Sequence, residues 1–479
     1  MPFIEWVNEY WVVVIPLVFH TAGLVFIFDV IMNGRTSQGT IAWVMALFFC
    51  PYLAVIFYLV FGARRIKNYS IAHQSGVTDI HHLGKMLQQD ERLQALMDKK
   101  DLSRIDIFSH VYHFPVMKGN RATLLVDGEE TFASLFEGIA SARHYILAQF
   151  FIIHPDNLGN RFKAALIERA KAGVQVYFLY DQIGSVHLSR AYIRELKAAG
   201  VHVSIFKVGG RWVNRLHINF RNHRKIVVVD GEKSWVGGHN VGDDYLGKGK
   251  KFRHWRDTHV KVEGPATLPV QLSFVEDWYW VCGKLPDVCW NPPPLYGNEP
   301  VLCIPTGPGD LVESCSLMMV QAINTATSRC WMMTPYFVPD VAVIKALQLA
   351  AMRGVDVRIL IPGNPDKRVV WWAAHSYLAE VAVAGVRMYT YTEGFMHQKV
   401  FLIDDRFAGI GTANLDNRSL RINFEITLLF TDPAFIQKVE EMCRTDFSRS
   451  TALTTDEIYR SSLFFRLAIR ASRLFSPIL

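Results

Sequence analysis

Residues 221–231 read RNHRKIVVVDG and residues 395–405 read FMHQKVFLIDD. Each places a histidine, a lysine two positions on, four apolar residues and an aspartate: His223, Lys225 and Asp230 in the first, His397, Lys399 and Asp404 in the second. The apolar runs predict strands, and residues two apart on a strand project to one side. Each histidine and lysine therefore present together, while Arg224 and Gln398 point away. An imidazole beside a fixed ammonium is a poor cation site, because the ammonium repels any metal ion the ring might bind. It is a good anion site, so no metal is expected. For a phosphodiester, two such pairs meeting across an interface supply one histidine to attack phosphorus and another to protonate the departing oxygen. The two lysines then stabilise charge on the non-bridging oxygens. Neither motif alone supplies both roles.

The surroundings of the motifs also recur. FKAALIERAKAGVQVYFLYD (162–181) and IKALQLAAMRGVDVRILIPG (344–363) share an apolar-periodic helix, a basic residue, Gly-Val and an alternating strand. Gly173 and Gly354 stand where a helix ends before a strand begins. ELKAAGVHVSIFK (195–207) answers EVAVAGVRMYTYT (380–392), and ARHYILAQFFI (142–152) answers SRCWMMTPYFV (328–338). Four correspondences in one order indicate a duplicated unit. Alternating helices and strands predict an α/β fold: two tandem α/β domains related by pseudo-twofold symmetry, at 121–290 and 301–479, joined by the Pro-rich linker NPPPLYGNEP at 291–300.

Other residues are candidates for support. Asp230 and Asp404 end their strand runs, where a structural job competes with a catalytic one. GGHN (237–240) and GTAN (411–414) combine small residues with an amide, so that backbone can approach a ligand while Asn240 or Asn414 donates a hydrogen bond. Asp257 and Glu425 follow the two histidines at similar offsets, as expected if each repeat sends a later strand back beside its first. A carboxylate on the far ring nitrogen fixes the tautomer and stabilises the imidazolium.

The front of the chain is different. Of 479 residues about half are hydrophobic and the formal charge is +7, which favours anionic partners weakly. The apolar excess concentrates in WVVVIPLVFHTAGLVFIF (11–28) and IAWVMALFFCPYLAVIFYLVF (41–61), each near the ~20 residues that cross a bilayer. They predict a membrane hairpin over 1–67, with spans of about 11–31 and 41–61. A signal peptide should begin with basic residues, yet none precedes Arg35. Arg64, Arg65 and Lys67 follow the second segment, so the positive-inside rule puts the rest of the chain in the cytoplasm, a multi-pass arrangement. Residues 68–120 read as a helical linker. Seven scattered cysteines, with no C-x-x-C pair, read as reduced core residues. At the other end, EIYRSSLFFRLAIRASRLF predicts an amphipathic helix with Arg466, Arg470 and Arg473 on one face and Leu463, Leu467 and Leu474 on another. It would either lie in the membrane interface or pack on the domain.

The paired HRKIVVVD and HQKVFLID motifs resemble those of the phospholipase D superfamily, from about residue 120 to the end. That resemblance implies that His223 is the nucleophile forming a phosphohistidine, that His397 is the acid, and that no metal or other cofactor is required. Gly238 stands where many members have Ser or Thr, whereas Thr412 keeps the hydroxyl; equal phosphate contacts from the two halves are therefore not expected. The hairpin, GGHNVGDDYLG, WRDTHV, TPYFVP, GTANLDNRSLRINFE and the closing FSPIL narrow the resemblance to bacterial cardiolipin synthases of the phospholipase D type. It implies transfer of a phosphatidyl group between two phosphatidylglycerols at the bacterial cytoplasmic membrane, with anionic membrane lipids as partners. Exchange of one phosphodiester for another needs no nucleotide energy, and neither a P-loop nor the Asp-rich signature of CDP-alcohol phosphotransferases is present. A hydrolase of the same superfamily is the alternative, with a silent lipid-binding scaffold a third reading. Nucleic acid is not expected as a substrate of a membrane-bound chain, and nothing in the pattern fixes an oligomeric state.

Overall fold

The computed structural model describes residues 2–34, 37–62, 91–96, 115–207, 220–249 and 251–479. The Arg64, Arg65 and Lys67 cluster, most of the 68–120 linker and residues 211–219 of the basic loop RWVNRLHINFR lie outside them. The chain divides into a smaller unit, residues 1–70 with 208–220, and a larger one, residues 71–207 with 221–479.

In the larger unit the first motif belongs to a run of eight strands: β1 (Met117–Val126), β2 (Tyr145–Phe150), β3 (Gln175–Asp181), β4 (His202–Phe206), β5 (Ile226–Val229), β6 (Lys233–Gly237), β7 (Trp255–Arg256) and β8 (Thr258–Glu263). The second run holds β9 (Glu299–Thr306), β10 (Arg329–Met333), β11 (Phe337–Val338), β12 (Asp356–Pro362), β13 (Arg387–Tyr391), β14 (Phe395–Met396), β15 (Val400–Ile403), β16 (Phe407–Gly411), β17 (Leu415–Asp416), β18 (Glu425–Phe430) and β19 (Ser450–Leu453). Fifteen of these form one sheet in the order β4-β3-β2-β5-β6-β8-β1-β9-β18-β16-β15-β10-β12-β13-β19. Outward from β1 the order is β8, β6, β5, β2, β3, β4. Outward from β9 it is β18, β16, β15, β10, β12, β13, the same moves in the second copy, with β19 added at the edge.

The joint between β1 and β9 is antiparallel and irregular, pairing Met117 with Val301 and Asn120 with Glu299. Buried Asn120 secures it: its amide donates to Met117 O and Glu299 O at 2.7 and 3.0 Å, and its oxygen accepts from Ala266 N at 2.8 Å.

Parallel steps need crossover connections, and helices supply them: Asn157–Lys171 and Arg190–Ala198 in the first copy, Val341–Met352 and Arg368–Ala382 in the second. Asp156, Ser189 and Asp340 cap three of their N-termini by accepting from the backbone N–H three residues on. The four turns back into strands use Gly173, Gly200, Gly354 and Gly385 at φ of +90°, +93°, +87° and +97°. A side chain at Gly173 or Gly354 would meet nothing, so backbone conformation rather than space calls for glycine there. Apolar cores around Phe162, Phe178 and Trp235 in the first copy, and Ile359, Leu347 and Leu378 in the second, fill the interior.

The smaller unit corrects the expected hairpin. Pro2–Asn33 is one helix, and its stretch Trp11–Asn33, 23 residues, is long and apolar enough to cross a bilayer. The second segment is not one helix but two, Ser37–Phe49 and Pro51–Phe61. At 1.5 Å per residue these reach about 20 and 17 Å, short of the ~30 Å hydrocarbon core. Pro51, which cannot donate to the helix ladder, breaks the segment at Cys50, and the second piece folds back on the first. The rings of Trp43 and Tyr58 lie 5.1 Å apart, where a continuous helix would separate them by about 22 Å. Along the long helix, Phe19 meets Tyr52, Gly23 lies against Leu47 and Pro51, Phe26 meets Tyr58, and the Tyr58 hydroxyl donates to Asp29 at 2.5 Å. Both ends of the second segment thus come out beside the Asn33 end of the first helix.

Candidate active site

Each His-Lys pair stands at the mouth of a short, wholly buried strand, β5 or β15. Lys225 Nζ donates to His223 O at 2.7 Å, and Lys399 Nζ donates to His397 O, so histidine and lysine share a side as their spacing requires. Arg224 and Gln398 point away, into matching anchors. Arg224 bonds Asp277 on helix Thr267–Cys282 at 2.9 Å, and Gln398 bonds Asp446 on helix Pro433–Ser448 at 2.8 Å.

The carboxylates are exchanged between the halves. His223 Nδ1 lies 2.9 Å from Glu425 Oε2, and His397 Nδ1 lies 2.7 Å from Asp257 Oδ2. The expectation that each later strand serves the histidine of its own repeat is therefore corrected: Asp257 serves the second histidine and Glu425 the first. The backbone explains why. His223 N donates to Phe424 O at 2.9 Å and His397 N donates to Arg256 O at 2.7 Å, so each histidine is tied to the residue just before the other half's carboxylate. The two motifs thus converge on one site.

The carboxylates are not equally held. Glu425 also accepts from Thr412 Oγ1 at 2.6 Å, Ser419 Oγ at 2.7 Å and Asn423 Nδ2 at 3.1 Å. Burial works to raise its carboxyl, but His223, Lys225 and the Thr412 hydroxyl hold it below the usual range. Asp257, equally buried, accepts from Thr258 N at 2.8 Å and has a long 3.5 Å contact from Trp255 Nε1. Burial lowers His223, aided by Lys225 and Lys399 and opposed by Glu425. It lowers His397 further, aided by Lys399, Lys225 and His223. Lys225 is brought down to about 7 and Lys399 to about 8, chiefly by burial. The charge of each lysine is felt by the histidine of the opposite pair, as two pairs around one anion pocket require. Rings wall the pocket: Phe151 is edge-on to His223 at 5.1 Å, and Trp255 and Phe395 lie 5.1 and 5.8 Å from His397.

Asp230 and Asp404 do not reach this pocket, which corrects their placement among the catalytic residues. Each closes its strand with positive φ, +55° and +50°, about 16 Å of extended chain beyond its lysine. Asp230 accepts from the backbone N–H groups of Arg143, His144 and Tyr145, each at 2.8 Å. Asp404 accepts from those of Thr327, Ser328 and Arg329 at 2.8–2.9 Å, which hold its carboxyl down to about 2 against burial. Both clamp the turn entering the neighbouring strand.

Asn240 is occupied with Ile152 N and the Tyr245 hydroxyl. Asn414 donates to Asp416 at 3.0 Å. Thr412 gives its hydroxyl to Glu425 rather than to a ligand, and its carbonyl lies 3.2 Å from His223 Nδ1. Sequence reasoning passed over Ser419, Asn423 and the ring walls. Asn423 was detectable, since two residues before Glu425 it shares that residue's face. Among the described residues no three His, Cys, Asp or Glu side chains cluster as metal ligands.

Comparison with known proteins agrees with this geometry. Residues 135–268 and 319–447 match the family described as cardiolipin synthase, PLD-like domain, and residues 22–62 match the phospholipase D-nuclease N-terminal family. Cardiolipin synthase A of Pseudomonas putida (strain W619) is 44% identical over 466 residues, covering 96% of this chain and 97% of that protein. Cardiolipin synthase A of Pseudomonas entomophila (strain L48) is 43% identical over the same length, with the same coverage. Among solved structures, the phosphatidylserine synthase of Haemophilus influenzae Rd KW20 superposes with a TM-score of 0.61 at 14% identity, covering 80% of this chain and 100% of that one, a likeness of fold. Matched over more than half its length by the family and over nearly all of it by these relatives, the chain belongs to the cardiolipin synthases of the phospholipase D-like superfamily.

Proposed function

We propose that this chain is a membrane-anchored phosphatidyltransferase that moves the phosphatidyl group of one phosphatidylglycerol to a second, giving cardiolipin and glycerol. The carrying observation is the exchange of carboxylates, which makes the two imidazoles parts of one site. Glu425 fixes the Nδ1–H tautomer of His223, leaving Nε2 to attack phosphorus. The P–O bond to glycerol breaks as His397 delivers a proton to that oxygen, and the product is a phosphohistidine whose imidazolium charge faces Glu425. His397, now neutral, takes the proton from the hydroxyl of the second phosphatidylglycerol, whose oxygen attacks phosphorus and frees His223. Lys225 and Lys399 balance the non-bridging oxygens, and an anionic phosphodiester beside them raises the proton affinity of His397 and of both lysines. The apolar ring walls disfavour water as the competing nucleophile. The shared strand order on the two sides of the β1–β9 joint supports a pseudo-twofold relation between domains at 121–290 and 301–479.

Membrane attachment places the enzyme among its substrates. The long apolar helix spans once, and the folded-back pair enters without crossing. The ends Asn33, Ser37 and Phe61 then share one side, and the basic residues that adjoin them in the sequence make it the cytoplasmic one by the positive-inside rule. The test of the activity is detergent-solubilised protein with phosphatidylglycerol alone and a chelator. Equal amounts of cardiolipin and glycerol are expected, and a phospho-adduct that disappears in His223→Ala. Phosphatidic acid as the main product would make the chain a hydrolase, and an adduct that survives in His223→Ala would move the nucleophile elsewhere.

A further inference from the structure

The helix Leu463–Arg473 packs on the larger unit and still presents an apolar face outward. Ser462 caps it through Phe465 N. Its inner face is buried through Ile469 and Ser472. Phe465 lies against Trp371 and His375, and the Arg473 guanidinium covers the Tyr377 ring at 4.4 Å and pairs with Glu380. Packing accounts for that side alone. On the other side Leu463, Phe464, Leu467 and Leu474 are 78%, 74%, 64% and 80% exposed, and Phe475 continues the patch. At 100° per residue the three leucines fall within about 40° of one another. Arg466, Arg470 and Arg473 flank that stripe, and the helix holds no acidic residue. A contiguous apolar patch rimmed by one sign of charge marks an interaction surface.

We infer that this helix, with Leu474 and Phe475, docks into the headgroup layer of an anionic bilayer. The leucines and phenylalanines enter the acyl boundary, and Arg466 and Arg470 lie against lipid phosphates. Charge complementarity selects this occupant: a basic-flanked apolar helix suits a surface that is apolar beneath and negative above. A weak affinity suffices, because a chain already tethered to the bilayer meets it at high effective concentration. The inference rests on the proposed membrane-bound reading. It gives the helix the task of presenting lipid to the enzyme.

The test uses the full chain in phosphatidylglycerol-containing vesicles, with Cys50, Cys282 and Cys289 changed to Ser and Leu467→Cys carrying an environment-sensitive NBD fluorophore. Docking predicts blue-shifted emission quenched by lipids with a nitroxide near the headgroup, weaker in purely zwitterionic vesicles. Emission typical of water overturns the proposal. So does fluorescence that instead changes with the protein-to-lipid ratio, which would mean a second copy covers the face. The double variant Leu463→Glu/Leu467→Glu changes only exposed positions and should keep its Tm. A several-fold rise in KM for the surface fraction of phosphatidylglycerol, with little change in kcat, is expected; a fall in kcat at constant KM would assign the helix a structural role instead. A chain whose fluorophore enters the bilayer but which makes no cardiolipin would refute the synthase reading and leave the docking intact.

Discussion

Glu425→Gln tests whether the carboxylate from the second half serves the nucleophile from the first. Glutamine keeps the shape and removes the charge. The surroundings can accommodate it, since the Thr412 hydroxyl that now donates to Glu425 can turn toward Ile426 O at 3.4 Å and accept from the new amide. What is lost is the counter-charge to the imidazolium formed when His223 bonds phosphorus. A hydrogen bond to a charged group contributes about 1.5–3 kcal/mol, so phosphohistidine formation should slow roughly ten- to hundredfold at ~1.4 kcal/mol per decade. Asp257→Asn should slow turnover for another reason, by weakening His397 as the acid that protonates glycerol. The assay is rapid quench with phosphorus-labelled phosphatidylglycerol, repeated with a phosphatidyl nitrophenyl ester whose leaving group needs no proton. Adduct formation from the ester should return to the parent rate in Asp257→Asn and stay slow in Glu425→Gln. If Glu425→Gln recovers and Asp257→Asn does not, nucleophile and acid have been assigned to the wrong halves. If both variants respond alike, the carboxylates do not serve separate histidines.

Two further outcomes are expected. Burial lowers Lys225 to about 7 and Lys399 to about 8 and depresses both histidines. In the free enzyme kcat/KM should therefore fall as pH rises above the depressed His397 value, because the acid must start protonated, and fall more steeply through 7–8, where the ammonium groups lose protons; its acid limb, set by the nucleophile His223, should lie below the ordinary histidine range, and a kcat/KM still climbing at pH 8 would contradict this. For the membrane unit, a membrane-impermeant maleimide applied to intact spheroplasts should label Asn8→Cys and spare Ser37→Cys and Lys67→Cys. A two-span hairpin gives the opposite result, with Ser37→Cys alone labelled.

Much of the catalytic unit was legible because its signals are local. Gly173 and Gly354 announce helix ends, and the positive φ they adopt there is a property of residue type. The His-x-Lys spacing fixes a shared face wherever the strand runs. The membrane segment misled because hydropathy counts residues and ignores where a helix turns. Ile41–Phe61 has the length of a span, and the single Cys50–Pro51 step divides it. The pairing of carboxylates was illegible for a reason of symmetry. In a duplicated chain, Asp257 and Glu425 occupy equivalent places, so their offsets from the histidines suit pairing within a repeat and between repeats equally well. The choice is made by contacts far apart in sequence, Asn222 with Phe424 and Met396 with Arg256.

The two halves, though built alike, have become chemically unequal at one small residue. Gly238 and Thr412 are equivalent, since the N–H of each bonds the residue that follows its carboxylate: Gly238 N to Thr258 O, Thr412 N to Ile426 O. A Cβ placed on Gly238 would stand 1.9 Å from Asp257 Oδ1, so no hydroxyl can occupy the position from which Thr412 binds Glu425. Asp257, a methylene shorter than Glu425, fills that space itself. One carboxylate is consequently fixed by three neighbouring side chains, the other chiefly by a single backbone N–H. A nucleophile that must hold one tautomer and then carry positive charge gains from the first environment. An acid that must give up a proton and take it back within one turnover gains from the second, where fewer donors compete with His397 for the carboxylate. The departure at Gly238, which in the sequence looks like a weakened phosphate contact, makes the two histidine environments unequal in the structure, which is the asymmetry that the proposed division into nucleophile and acid-base requires.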